Sequence, residues 1–127
     1  MKKSIIAVLL ASVLPVTAFA QGYHVDGNVY ASDTSLSGAM SVRYNTSVSG
    51  SPYIYANGYA NSAVSFYGRD SDGDNFVCSV PTTSALYDQA VDIKNSLTNG
   101  GYLYVSKPSS SSTCSSVYLL NASYWTE

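Results

Sequence analysis

Residues 84–99, SALYDQAVDIKNSLTN, are the one stretch of this chain whose apolar side chains recur at helical spacing. Leu86, Ala90, Ile93 and Leu97 follow one another at intervals of four, three and four, which sets them in a single stripe. Thr82, Thr83 or Ser84 can cap the free amides at the start. Asp88 lies where the positive helix end favours an acid, and Asn99-Gly100 accepts the left-handed backbone that ends many helices. A helix with one apolar face must lay it on a partner, and the rest of the chain offers only period-two segments. The pattern predicts a mainly β fold in which one helix covers a sheet or a barrel end.

The strands read as follows. Residues 39–44 alternate Met40, Val42 and Tyr44 against Ser41, Arg43 and Asn45, as a half-buried strand requires. Residues 53–56 form a second short strand, closed by the turn dipeptide Asn57-Gly58. Residues 63–68 and 75–80 make a hairpin, with Val64 and Phe66 on one arm and Phe76, Cys78 and Val80 on the other, and RDSDGD at 69–74 supplies the turn. Pro81 ends it. After the helix, residues 102–107 alternate Leu103 and Val105 against Tyr102 and Tyr104; the serine-rich 108–113 is a loop, and 115–125 a last strand. Upstream, Val29-Tyr30-Ala31 reads as a short strand or part of an ordered arm. A hairpin, one helix and two final strands, in that order, is the arrangement of the OB-fold, a small barrel that usually binds and seldom catalyses.

The start of the chain is of another kind. Lys2 and Lys3, an apolar run at 5–14 and the small-residue site Ala18-Phe19-Ala20 have the make-up of a secretory signal peptide, too short and too early broken by Pro15 for a membrane anchor. The organisation expected is therefore a signal peptide at 1–20, an N-terminal arm or short strand at 21–36, and an OB-like β-barrel domain at 37–127. Export would deliver the mature chain to the periplasm or the outside of the cell. In either compartment Cys78 and Cys114 most simply form an internal disulfide. No later segment is long enough to span a bilayer.

Without the leader the chain keeps four basic residues, Arg43, Arg69, Lys94 and Lys107, against eight acidic ones, a net charge near −4. Four scattered cations cannot neutralise a row of phosphates, so nucleic acid is excluded as a partner. Enzyme chemistry is poorly supplied as well. His24 is the only histidine, Glu127 the only glutamate, and the cysteines are committed to each other, so no catalytic residues are assigned and no cofactor is expected. The run DSDGDN at 70–75 suggests calcium, but the sixth and twelfth positions of an EF-hand loop are here Asn75 and Pro81, and a solvated turn is the better reading. No metal site is expected.

The positive signal is tyrosine. All twelve tyrosines lie in the mature chain, beside two phenylalanines and one tryptophan, so the aromatic content favours rings that also carry a hydroxyl. Such rings can stack on sugar faces and hydrogen-bond sugar hydroxyls, and they suit partly wet interfaces. Tyr53 with Tyr55, and Tyr102 with Tyr104, share strand faces by parity. For Tyr102 and Tyr104 the sequence leaves a binding or subunit-contact face and a plain sheet surface equally open.

With these elements in place, the chain resembles the B subunits of bacterial pentameric toxins, of the subtilase-cytotoxin and typhoid-toxin type. The resemblance is carried by Ser84-Ala85-Leu86-Tyr87-Asp88-Gln89-Ala90 at the helix start, by Asn99-Gly100 leading into a strand, and by Ser37-Gly38 ahead of the alternating segment. It implies an OB-fold binding subunit that recognises cell-surface glycans, sialylated ones among them, as a ring of identical chains beside an enzymatic A subunit. It also implies a glycan contact for Ser37, to which the tyrosine-bearing strand adds Tyr102 and Tyr104. The competing expectation is a periplasmic OB-type protein that binds another protein, as an inhibitor or an envelope structural partner. An exported hydrolase or nuclease comes third, for want of acid and base groups.

Overall fold

Two antiparallel sheets and one helix account for the described residues, 27–121, of the computed structural model. The expected leader, His24 and the expected run of the last strand past residue 121 lie outside them. The first sheet contains β1 (Val29–Ala31), β2 (Ser35–Ala39), β6 (Gly101–Ser106) and β7 (Ser116–Asn121), in the order β1-β2-β6-β7. The second is the meander β3 (Tyr53–Asn57), β4 (Val64–Arg69) and β5 (Asn75–Val80). The helix α1 (Tyr87–Ser96) follows β5 and precedes β6. The expected class, a mainly β fold of OB-like order with one helix and one disulfide, is the one observed.

Alternation fixes which side of each sheet is buried. On β6, Leu103 and Val105 are fully buried while Tyr104 is exposed; on β4 and β5, Val64, Phe66, Phe76, Cys78 and Val80 turn inward. Burying each such side chain stabilises the fold by about 1.5–3 kcal/mol. The sheets meet closely at one point: a Cβ on Gly68 would come within 2.2 Å of a Leu36 methyl. The missing side chain in β4 is thus the space that Leu36 of β2 fills.

One seam ties the sheets together. Cys78 in β5 is bonded to Cys114 just ahead of β7, with their Cα atoms 5.1 Å apart. Beside this bond Ser79 N–H donates to Ser112 O at 2.9 Å and Cys114 N–H to Ser79 O at 3.0 Å, giving a short parallel bridge between Ser79 and Thr113. The covalent link therefore lies within a hydrogen-bonded contact, and Cys78 points inward as its strand parity predicts.

Three local expectations are corrected. The segment 39–44 is not a strand: β2 ends at Ala39, and Met40–Tyr44 forms a 3-10 helix. The β2–β6 ladder runs out at the pair Ala39–Tyr102, and the chain must leave this sheet to start β3 in the other. A tight turn of helix makes that passage and buries Val42, but it also buries Ser41, which alternation had placed outside.

The helix is shorter than its apolar stripe. Ala90 and Ile93 are buried, while Leu86 and Leu97 pack on the core from positions just outside the helical residues. Ser84 Oγ accepts Leu86 N–H at 3.1 Å, ordering the approach, but the N-cap residue Leu86 makes no side-chain cap. The helix stops because Leu97 turns extended; neither Asn99 nor Gly100 takes the left-handed conformation. Third, Asn57-Gly58 is not a two-residue turn. Residues 58–63 link β3 to β4, with Asn61 at φ 60° and Ser62 Oγ bonded to both N–H and C=O of Tyr59. No helix among the described residues is long and apolar enough to cross a membrane.

Candidate ligand-binding face

Register brings together residues that are far apart in sequence. In the first sheet Tyr30 of β1 pairs with Ser37 of β2, Ser37 with Tyr104 of β6, and Tyr104 with Tyr118 of β7. The four form one row across the sheet, all on the face turned away from the core. Tyr30 is 62%, Tyr104 40% and Tyr118 56% exposed. Neighbouring strands lie ~4.8 Å apart, so the backbones of Tyr30 and Tyr104 stand about 10 Å apart with the short Ser37 side chain between them. That backbone spacing provides for a slot between the two tyrosines, over Ser37, on the order of one sugar ring in width.

A second row runs beside the first on the same face. Ser35 pairs with Ser106, and Ser106 with Ser116. Ser106 Oγ lies 2.6 Å from Ser116 Oγ and 3.2 Å from Ser115 Oγ, while Ser35 Oγ is 3.0 Å from Ser32 Oγ. On the other flank the half-buried Tyr102 pairs with Ala39 and with Leu120. Neither the tyrosine row nor the serine row contains a charged side chain. Rings and hydroxyls without charge suit a neutral, hydroxyl-rich ligand.

Beyond β7, an edge strand among the described residues, a cleft of about 500 Å³ opens between that strand and α1, and Tyr118 lines it together with Gln89, Asp92, Ser96 and Asn121. Gln89 Nε2 donates to Val117 O at 2.9 Å, so one outward carbonyl of the edge is already satisfied by the helix. Tyr118 is thus shared between the row and this cleft, to which Ile93 and Leu119 also contribute.

Of the residues expected at a site, Ser37 and Tyr104 are direct cross-strand partners, and Tyr102 lies on the same face one pair away. Sequence reasoning missed Tyr30 and Tyr118. Their outward parity was readable within short strands, but which strands adjoin was not.

The acidic turn has a structural occupation. Asp70 is only 7% exposed. Its Oδ1 accepts the N–H groups of Asp72 and Asp74, both at 3.0 Å, and its Oδ2 accepts Ala31 N–H of β1 at 3.3 Å. Burial alone would raise its pKa; the N–H groups of Ala31, Asp74, Asp72 and Gly73 outweigh that and hold the carboxyl below its ordinary value. The turn is therefore not simply solvated: one carboxylate organises it and fastens the β4–β5 hairpin to β1. Among the described residues no three His, Cys, Asp or Glu side chains come together as a metal site.

The outer face of the second sheet is aromatic too, but there the rings touch one another. Tyr55 and Tyr67 stack with centroids 4.9 Å apart and planes at 15°, and Tyr53 lies 5.8 Å from Tyr55. No family model, no curated protein and no solved structure matches this chain.

Proposed function

We propose that this protein is an exported, non-catalytic binding subunit that recognises glycans through the outer face of β1-β2-β6-β7 and acts as a homo-oligomer in the manner of a toxin B subunit. The observation that carries this reading is the row Tyr30–Ser37–Tyr104–Tyr118, in which two exposed rings flank a serine hydroxyl. A pyranose placed in the slot would stack its apolar face on a ring and hydrogen-bond Ser37, and further sugars would extend past Tyr118 toward the cleft beside α1. Sialylated glycans and a companion enzymatic A subunit belong to the same reading and rest on the resemblance alone. A ring of identical chains would also pair strand edges that an isolated subunit exposes.

The test is a glycan array probed with the mature protein, repeated with Ser37→Tyr. Binding by the parent that is lost when a third ring fills the slot supports the reading. No bound glycan, from protein shown to be folded and oligomeric, overturns it.

A protein partner is the second reading, favoured by the exposed tyrosines of the other sheet, Tyr53 and Tyr55, at 42% and 43%. Exposed aromatic residues are enriched at protein interfaces. Loss of partner capture on Tyr55→Ala, with Ser37→Tyr still competent, would move the function to that sheet.

A further inference from the structure

A hollow of about 330 Å³ lies between the 3-10 helix and the start of β3, apart from the tyrosine row, none of whose residues lines it. It is lined by the half-buried Met40, the nearly buried Val42 and Ile54, and Tyr53 and Tyr55, and Arg43 and Asn99 stand at it as the polar groups. That volume is at the small end for ligand sites, and the lining, apolar with a few convergent polar groups, is of the usual kind.

The arginine is held in place. Arg43 Nη2 donates to Tyr44 OH and, at 3.1 Å, to Asn99 Oδ1; its guanidinium carbon lies 4.5 Å from the Tyr44 ring centroid. Asn99 Nδ2 in turn donates to Tyr44 OH at 3.4 Å, so the three side chains brace one another. Among the described residues these partners are neutral oxygens and a ring, not a carboxylate. Nη2 has spent both its hydrogens on them, which leaves Nε and Nη1 for a ligand. An exposed arginine ordinarily loses conformational freedom when it binds; here that loss is already incurred in the free protein.

The surroundings select the sign and shape of the ligand. The mature chain is acidic, so a fixed cation beside an apolar hollow is a local exception to its charge. One guanidinium with neutral neighbours matches a single negative charge, and carboxylate is the anion whose geometry a guanidinium reads best alongside phosphate. Apolar and aromatic residues in the lining favour a charge attached to an apolar or planar body.

We propose that this hollow binds a small carboxylate with an aromatic or alkyl body, its anion on Arg43 and its body against Met40, Tyr53 and Tyr55. The probe is 3-phenylpropionate, compared with its neutral amide, in a nuclear magnetic resonance titration of the mature protein. The acid should bind at least about tenfold more tightly than the amide, as loss of one charge-assisted hydrogen bond implies, and should shift the signals of Asn99, Tyr53 and Tyr55. Arg43→Gln should bring acid and amide to equal affinity, and Arg43→Lys should restore only part of the difference. Equal binding of acid and amide by the parent, no saturation at millimolar ligand, or shifts confined to other residues overturns the proposal. The acid–amide comparison decides the matter on the unaltered protein even if a variant fails to fold.

Discussion

Tyr55 and Tyr67 face each other across β3 and β4 with their rings stacked, and Tyr53 leans on the pair; in the other sheet Tyr30 and Tyr104 stand on either side of Ser37. Tyr104 and Tyr118, though partners in register, form no ring contact among the described residues. The same residue type therefore serves two ends. Stacked tyrosines turn a face on each other and stabilise a sheet, whereas spaced tyrosines leave both faces to solvent or to a ligand. Composition does not divide the two cases: Ser37 keeps Tyr30 from Tyr104, and Tyr104 and Tyr118 stay apart even as direct partners.

The comparison assumes that both faces belong to one body, and the disulfide seam is where that is most easily broken. Replacing Cys78 and Cys114 together by alanine should cost about 4 kcal/mol, the chain-entropy value for a loop of this length. Urea melts of the two forms measure it, and a difference below ~1 kcal/mol would mean that the sheets hold each other without the bond.

The Asp70 clamp comes next, since it fastens the stacked sheet's hairpin to the strand that bears Tyr30. Asp70→Asn leaves one carbonyl oxygen for three N–H donors and should cost about 2 kcal/mol at neutral pH. Because the folded carboxyl lies below its ordinary value, its contribution is complete above the unfolded pKa and fades as pH falls through the folded one. The gap between parent and variant should accordingly narrow in melts taken below about pH 4; a gap that widened there would contradict the clamp.

The two faces themselves are separated by a pair of truncations. Tyr67→Ala should lower stability by about 1 kcal/mol more than Tyr104→Ala, the worth of an aromatic stack beyond its buried area, and should leave glycan binding intact. Tyr104→Ala should do the reverse. If both variants melt alike and bind alike, the distinction between the faces fails. The smallest effect on stability belongs to Ser37→Tyr, within about 0.5 kcal/mol as for most surface changes, though it should abolish glycan binding.

Much of the fold was legible because burial in a small β protein leaves a period-two trace. The hairpin of β4 and β5, the inward Cys78, the pair Leu103 and Val105, and the helical stripe from Leu86 to Leu97 could all be read from spacing. The segment after Ala39 misled because Met40, Val42 and Tyr44 alternate as a strand would, while the end of the β2–β6 ladder, a tertiary fact, decides otherwise. Helix ends misled for a related reason: Asn99 and Gly100 permit a left-handed stop, but permission is not requirement. Of the candidate site, Ser37 and Tyr104 were named and their pairing was not. Tyr30 and Tyr118 entered only with the strand order, and Asp70 showed as one acid among several in a turn.

The row of tyrosines also has a place in time. β1 and β2 are neighbours in the chain, as are β6 and β7, so each pair can form early from local contacts. Ser37 meets Tyr104 only when β2 finds β6 across most of the chain, the kind of contact that makes folding slow. Each half of the slot can thus exist before the slot does. The ligand binding proposed for this face would in consequence be a late reporter: during refolding it should appear after the local hairpins, and together with the joining of the two halves of the sheet.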